Sequence, residues 1–188
     1  MIGLRLGGTE LRLYFSFLTF NALLFLSGSR TALLFYAAAA VHEAAHILAA
    51  YFFGQHLRSV EFRGTGIIME AEKNCGAPFF HGAAVLMAGP AVNLLMWLIS
   101  SAAGASDKWA EINLGLCLYN LLPYCQLDGG AAISLLICGS PYEREIGALL
   151  LFVKMAVSAA LFILTIAVDS SLLILFAVSV FLLLGDIK

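Results

Sequence analysis

Long apolar runs constrain this chain more than any other feature of its sequence. Of its 188 residues, 62% are hydrophobic and 12% are charged, whereas a soluble domain averages about 45–50% apolar and about 25% charged residues. Too few charged side chains are present to cover a surface in water, so the composition predicts a membrane protein. Each transmembrane helix needs about 20 apolar residues. Six runs are candidates: 11–27, 31–53, 79–103, 109–127, 147–168 and 171–185.

The six runs predict an all-α polytopic membrane protein with about six transmembrane helices, organised as a single membrane-embedded domain over residues 1–188. The polar segment between the second and third runs differs. Residues 57–70 place β-prone residues around two glycines, which predicts a small β-hairpin. For the first run a signal peptide is the alternative, but the SGSRTA that follows is a poor cleavage site and favours a retained span.

Charge patterns indicate the orientation and exclude one class of partner. With six spans, eight of the ten Lys and Arg residues fall on the side of the N terminus, and only Arg30 and Lys108 fall on the other. Because cytoplasmic loops are enriched in Lys and Arg, both termini are expected in the cytoplasm. A net charge of −2 argues against nucleic-acid binding, which needs a basic face. The four cysteines have no paired spacing and predict no disulfide framework.

Three ionisable residues, His42, Glu43 and His46, lie inside the second apolar run. On a helix the two histidines are about 40° apart around the axis and about 6 Å apart along it, so both imidazoles can bind one metal ion. Glu43 is turned about 100° from His42, which suits a general base beside the metal. H-E-x-x-H is the pattern of zinc hydrolases. Such residues cost about 2.5–3.5 kcal/mol each in a membrane span, so a functional role is favoured over two surface histidines.

A catalytic zinc needs a third protein ligand and an open position for water. Asp128 is the best candidate, because it follows the helix-breaking Pro123 and precedes two glycines, and irregular backbone at membrane depth lines a cavity. An Asp at this position can also simply cap the next helix. Other potential ligands stay open as alternatives: His56, His81, Cys117 and Cys125.

Three short motifs follow one another along the chain: H-E-A-A-H at 42–46, G-P-A-V-N at 89–93 and N-L-L-P-Y-C-Q-L-D-G at 120–129. Together they resemble the site-2 protease family of intramembrane zinc metalloproteases. The resemblance implies that His42, His46 and Asp128 bind one zinc ion per chain. Another divalent metal stays open, because nitrogen and oxygen ligands accept several.

The remaining site roles come from the same resemblance. Glu43 is implied to activate the attacking water, and Asn120 and Asn93 to position the substrate or the oxyanion. Family members cleave a transmembrane or membrane-associated protein in or near the bilayer. The 57–70 segment resembles the family's sheet element, which can pair with an unwound substrate by strand addition.

The resemblance therefore predicts a zinc metalloendopeptidase that acts in regulated intramembrane proteolysis in a bacterial cytoplasmic membrane, with sigma-factor activation as one form. The compact plan is nearest to the sporulation branch, which processes a sigma-factor precursor, here without a PDZ domain between the motifs or a CBS domain after the spans. The alternative is a non-catalytic membrane protein such as a pseudoprotease or a metal transporter. A transporter more often has polar residues in several spans, and a pseudoenzyme usually lacks a ligand or the base. Substrate, cleavage site, regulatory partners and oligomeric state stay open.

Overall fold

The chain folds into helices and one small sheet. A computed structural model describes residues 2–6, 8–26, 28–55, 57–63, 66–71, 79–104, 108–167 and 173–186. Within these residues there are seven helices and four strands. The chain forms two compact units, Met1–Leu118 and Tyr119–Lys188. They are called the first and the second unit below.

The first unit contains the sheet and the longest apolar helices. Its strands are hydrogen-bonded in the order β1-β2-β3-β4. Helices α1 and α2 connect β2 to β3, which are parallel neighbours. The elements in chain order are β1 (Ile2–Leu6), β2 (Thr9–Leu13), α1 (Phe15–Leu26), α2 (Arg30–Phe52), β3 (Leu57–Arg63), β4 (Gly66–Ala71), α3 (Phe79–Ala102) and α4 (Lys108–Asn120), whose last two residues belong to the second unit.

The N-terminal segment corrects the prediction of an all-α fold with a span over 11–27. Strands β1 and β2 form an antiparallel hairpin, and the helix begins only at Phe15. The reason is visible in residues 2–13, where apolar and polar or glycine residues alternate and two glycines lie between the strands. Alternation with period two is the signature of a strand. Because the apolar run at 11–27 is long enough for a membrane span, the sequence alone does not separate the strand from the helix that follows it.

The predicted hairpin near 57–70 is confirmed, as strands β3 and β4 pair antiparallel. Strand β3 is also paired with β2, in a register that sets Arg12 opposite Glu61. The Arg12 guanidinium donates to the Glu61 carboxylate at 2.8 Å and to the Glu10 carboxylate at 2.5 Å. Since β3 has a neighbour on each side, the edges of the sheet in the described residues are β1 and β4.

Helix α2 carries the predicted metal motif and has defined ends. The Ser29 hydroxyl accepts a hydrogen bond from the amide of Ala32 at 3.3 Å, which satisfies an N–H that the first turn leaves without a partner. At the other end Gly54 has a φ of 62°, a left-handed conformation that glycine adopts without strain. Between these ends, alanine is the commonest residue and favours the helix.

The predicted fourth span, 109–127, is not one continuous helix in the structure. Helix α4 ends at Asn120, and residues 121–127 are turns before the next helix begins at Asp128. Pro123 cannot donate a helical hydrogen bond, which accounts for the early end of the helix. At about 1.5 Å per residue the 13 residues of α4 extend about 20 Å. The helices after α4 are α5 (Asp128–Ile137), α6 (Glu143–Ala167) and α7 (Leu173–Asp186).

Two of the described helices are long and apolar enough to cross a membrane, namely α2 over Arg30–Phe52 and α3 over Phe80–Ala102. Many of the large apolar side chains outside the core are exposed, among them Leu48, Leu95 and Phe152. Exposed apolar surface of this extent is expected on a protein that contacts lipid. The count of six spans and the single-domain organisation stay predictions.

Candidate metal centre

Helices α2 and α3 of the first unit meet along two matching rows of residues. The buried residues of α2, namely Ala38, His42, His46 and Ala50, are spaced four apart. His46 contacts Val85 on α3, whereas His42 contacts Asn93 further along α3. The earlier residue of one helix therefore meets the later residue of the other, so α2 and α3 run antiparallel. Alanine and glycine in these rows allow the helices to approach closely.

The two histidines of the motif are brought together as the sequence predicts. Their Nε2 atoms lie 3.2 Å apart, and their rings meet edge to face with centroids 4.8 Å apart. Both side chains are buried, with 5% of His42 and 4% of His46 exposed. Two imidazole nitrogens thus point at one place inside the first unit.

A hydrogen bond fixes the proton of His46. Its Nδ1 donates to the backbone carbonyl of Val85 at 2.7 Å. A carbonyl oxygen only accepts hydrogen bonds, so in the neutral ring the proton is on Nδ1 and the lone pair is on Nε2. Metal-binding histidines are generally oriented in this way, by a carbonyl or carboxylate on the nitrogen that does not bind the metal.

The outer nitrogen of His42 has a different partner. Asn93 Nδ2 lies 3.2 Å from His42 Nδ1. The Asn93 side chain is completely buried, and its Oδ1 has no hydrogen-bond partner among the described residues. An uncompensated buried amide oxygen costs free energy.

Gly89 lies directly against both imidazoles. A Cβ built at this residue would be 2.6 Å from His42 Nε2 and closer still to His46 Nε2. No side chain fits between the helix backbone and the rings. The glycine of the G-P-A-V-N motif is therefore required by close approach, and Pro90 beside it is also fully buried.

Glu43 is placed on the same turn of α2 as the two histidines. It is half-buried, unlike the neighbouring His42. A carboxylate that is turned partly out of the helix contact can reach water, as a general base must.

The second unit holds Asn120 and Asp128 at the two ends of one turn segment, residues 121–127. Asn120 is the last residue of α4, and Asp128 is the first residue of α5. Leu127, just before Asp128, has extended backbone with φ −107° and ψ 157° and makes no side-chain cap. Both polar residues are half-buried.

Tyr124 holds the middle of this turn segment against α6. Its side chain is completely buried, and its hydroxyl hydrogen-bonds to Ser158 Oγ at 3.0 Å. The turn also packs on α7, because Tyr124 and Leu127 form a buried cluster with Leu182. These contacts fix the backbone that leads into Asp128.

The two glycines after Asp128 allow the start of α5 to press on the turn segment. A Cβ at Gly129 would be 2.5 Å from the Leu121 carbonyl oxygen, and one at Gly130 would overlap the carbonyl group of Tyr124. Backbone atoms cannot move aside as the end of a flexible side chain can. The two glycines are evident in the sequence, but the packing explains why a larger residue would not fit at either position.

We expect Gly130→Ala to lower the free energy of unfolding by about 1–3 kcal/mol, the usual cost of overpacking. The measurement is thermal unfolding of the detergent-purified chain. Gly147→Ala on α6 is the matched control, because nothing lies within 4 Å of a Cβ there and alanine favours a helix over glycine by about 1 kcal/mol. Equal unfolding midpoints for the two variants would contradict the packing argument.

The remaining potential ligands, which the sequence left open as alternatives to Asp128, have the following positions and neighbours. The His81 ring is stacked on Phe53 with centroids 4.7 Å apart. Cys117 is buried in α4, and Cys125 Sγ lies 3.7 Å from Lys154 Nζ in the second unit. His56 lies outside the described residues.

Comparison with known proteins agrees with the motifs. The chain is 32% identical over 121 residues to a Synechocystis sp. protein that carries the name of a zinc metalloprotease, and 27% identical over 113 residues to the stage IV sporulation protein FB of Bacillus subtilis. These matches cover 58% and 55% of this chain, but only 32% and 39% of the two relatives. No family model matches the chain.

A solved structure has the same fold. The site-2 protease from Methanocaldococcus jannaschii superimposes with a TM-score of 0.63, covering 98% of this chain and 93% of that protein at 18% identity. This fold and the two relatives together confirm the resemblance to the site-2 protease family that the three motifs indicate.

Proposed function

We propose that this chain, which has the fold of a site-2 protease, is a membrane-embedded zinc endopeptidase. The observation that carries the proposal is the pair of buried imidazoles, whose Nε2 atoms lie 3.2 Å apart. Two zinc–nitrogen bonds of about 2.0–2.1 Å at a tetrahedral angle place their nitrogens about 3.3 Å apart. The pair is therefore spaced as two ligands of one tetrahedral zinc ion.

Asp128 is proposed as the third ligand. A carboxylate is one of the groups that complete a catalytic zinc site after two histidines, leaving one position for water. Asp128 is half-buried at the start of α5, on a backbone fixed by Tyr124 and by the two glycines. The donor chemistry of two imidazoles and one carboxylate fits zinc, and such a set also accepts other divalent metals.

The reaction is proposed to be hydrolysis of a peptide bond, with Glu43 as general base. Zinc, when bound, supplies a Lewis acid that makes water acidic enough to attack near neutral pH. Glu43 takes a proton from the attacking water and delivers it to the leaving nitrogen. The Asn120 amide donates a hydrogen bond to the oxygen that becomes negatively charged in the transition state.

The substrate is proposed to be a membrane-embedded or membrane-associated protein, and a sigma-factor precursor is one candidate. A substrate helix must unwind before its peptide bonds are accessible. Strand β4 supports a route for this step, since it is an edge of the sheet and an extended peptide can pair with such an edge. The segment predicted from the sequence is 57–70, and β4 is the part of it that lies at an edge of the sheet among the described strands.

We further propose that the chain crosses the membrane several times with both termini in the cytoplasm. Helices α2 and α3 support spanning by their length and composition. The excess of basic residues on the side of the termini supports the orientation.

Zinc content of the detergent-purified chain tests the proposal. We expect about one zinc per wild-type chain, and its loss from both His46→Ala and Asp128→Ala, because each removes a ligand. His81→Ala and Glu111→Ala are matched controls that should keep zinc, since His81 is stacked on Phe53 and Glu111 is exposed and paired with Lys108 at 2.7 Å.

Two results would contradict the proposed centre. If the His46→Ala chain kept its zinc, the imidazole pair would not be the metal site. If the Asp128→Ala chain kept its zinc and the His81→Ala chain lost it, His81 would be the third ligand in place of Asp128. Unfolding midpoints of the four variants, measured in the same detergent, separate loss of a ligand from loss of the fold.

A further inference from the structure

We propose that Asn93 is a positioning residue that sets the tautomer of His42, donating to the ring without metal and accepting from it with metal. This inference rests on the proposed zinc centre and adds a role for a side chain whose hydrogen bond goes to a proposed ligand, His42. The contact in question joins Asn93 and His42 Nδ1 at 3.2 Å.

The hydrogen bonds of the two imidazole rings run in one consistent direction, in which each ring donates from one nitrogen and accepts at the other. His46 Nδ1 donates to the Val85 carbonyl, so His46 Nε2 is an acceptor. Asn93 Nδ2 faces His42 Nδ1 and donates to it, which leaves the proton of neutral His42 on its Nε2. This Nε2–H then donates to His46 Nε2 at 3.2 Å. The hydrogen bond holds the two ligand atoms at the separation that zinc requires.

Metal binding requires the opposite arrangement at His42. Its Nε2 must present a lone pair, so the proton moves to Nδ1. The amide nitrogen of Asn93 and the Nδ1–H of His42 are then two hydrogen-bond donors that face each other, so no hydrogen bond can form between them. A half-turn of the amide exchanges its nitrogen and oxygen with almost no change of shape, and Oδ1 accepts from Nδ1–H. Oδ1 is the atom that is buried without a hydrogen-bond partner in the described structure.

Burial distinguishes this role from the one implied by the family resemblance. Asn93 has 0% of its surface exposed, so its side chain has no face with which to touch a substrate or an oxyanion. It acts through His42. Histidine partners of this kind typically change metal affinity by about 10–100-fold when they are removed.

The variants Asn93→Leu and Asn93→Asp test the proposal by zinc affinity, measured in competition with a chelator. Leucine has a similar volume but cannot accept a hydrogen bond, so we expect zinc affinity to fall by about 10–100-fold. Aspartate accepts from Nδ1–H in every orientation, so we expect affinity at least equal to that of the wild type. Asn113→Leu is the matched control, because Asn113 is also completely buried, its Oδ1 has no hydrogen-bond partner within the described part of the chain, and its Nδ2 donates to the Trp109 carbonyl.

A second measurement reads the protonated ring nitrogens directly in the wild-type chain. In ¹⁵N-histidine-labelled wild-type chain, ring nitrogen shifts report which nitrogen carries the proton. Without metal we expect His42 protonated on Nε2 and His46 on Nδ1, and with zinc both rings protonated on Nδ1. The signals are assigned with single-histidine variants.

The outcomes separate this inference from the proposed function. Two results would overturn the role of Asn93 while the wild type still binds zinc. One is a zinc affinity that is unchanged in Asn93→Leu, and the other is an affinity that falls equally in Asn93→Leu and Asn93→Asp. Either result would leave the proposed zinc centre intact. Two rings that both carry Nδ1–H without metal would overturn that role as well. A wild-type chain that binds no zinc would overturn both.

Discussion

Glu43→Gln is expected to retain about one zinc per chain and to lower the rate of peptide cleavage by about 10²–10⁴-fold, the usual contribution of a general base. Glutamine keeps the size and polarity of the side chain but cannot take a proton from water. Glu43 is not among the proposed ligands, so the metal should stay. The measurement is release of a soluble fragment from single-span fusion proteins reconstituted with the purified chain, beside the zinc content of the same sample.

Glu111→Gln is the matched control for this change, since Glu111 is exposed and pairs with Lys108 on the surface of α4. It should cleave at the wild-type rate. A Glu43→Gln chain that cleaves normally would assign the proton transfer to another group. A Glu43→Gln chain that loses zinc would make Glu43 a ligand instead.

Gly89→Ala is expected to lower zinc affinity by more than the roughly 10–100-fold that loss of one histidine partner costs, with little change in the unfolding midpoint. The added methyl group would overlap the Nε2 atoms of His42 and His46. Imidazole rings can turn away from it, so the fold survives. The rings then no longer point at one ion. Chelator competition and thermal unfolding of the same preparation measure the two effects.

Gly115→Ala provides the matched control on helix α4, where nothing lies within 4 Å of an added Cβ. It should bind zinc as the wild type does and be more stable by up to about 1 kcal/mol. Wild-type zinc affinity in Gly89→Ala would show that the rings tolerate a methyl group between them and the α3 backbone.

The metal motif was predictable because its geometry is local. A spacing of four residues on one helix brings His42 and His46 together whatever surrounds them, and the apolar run leaves no surface for them. The partners of these rings were not predictable in the same way. Val85 and Asn93 contact the histidines only because α2 and α3 pack antiparallel, which no local pattern encodes.

The sheet was predictable from the sequence only in part. The β-prone residues around glycine predict the hairpin of β3 and β4, but the predicted span over 11–27 takes in the last three residues of β2, Leu11–Leu13. The alternating residues of this strand, such as Leu11 and Arg12, carry the signal of a strand. The parallel pairing of β2 with β3 depends on two intervening helices, so it is a property of the tertiary structure.

The position of the imidazole pair in the first unit has a consequence for biosynthesis. A ribosome makes the chain from its N terminus, so both histidines, Gly89 and Asn93 exist before Asp128 is translated. If Asp128 is the third ligand, as proposed, the growing chain passes through a stage in which two ligands are already paired by their own hydrogen bond. The proposed zinc centre would then be complete only after Asp128 is translated, and the proposed cleavage could not begin while the first unit inserts among other membrane proteins.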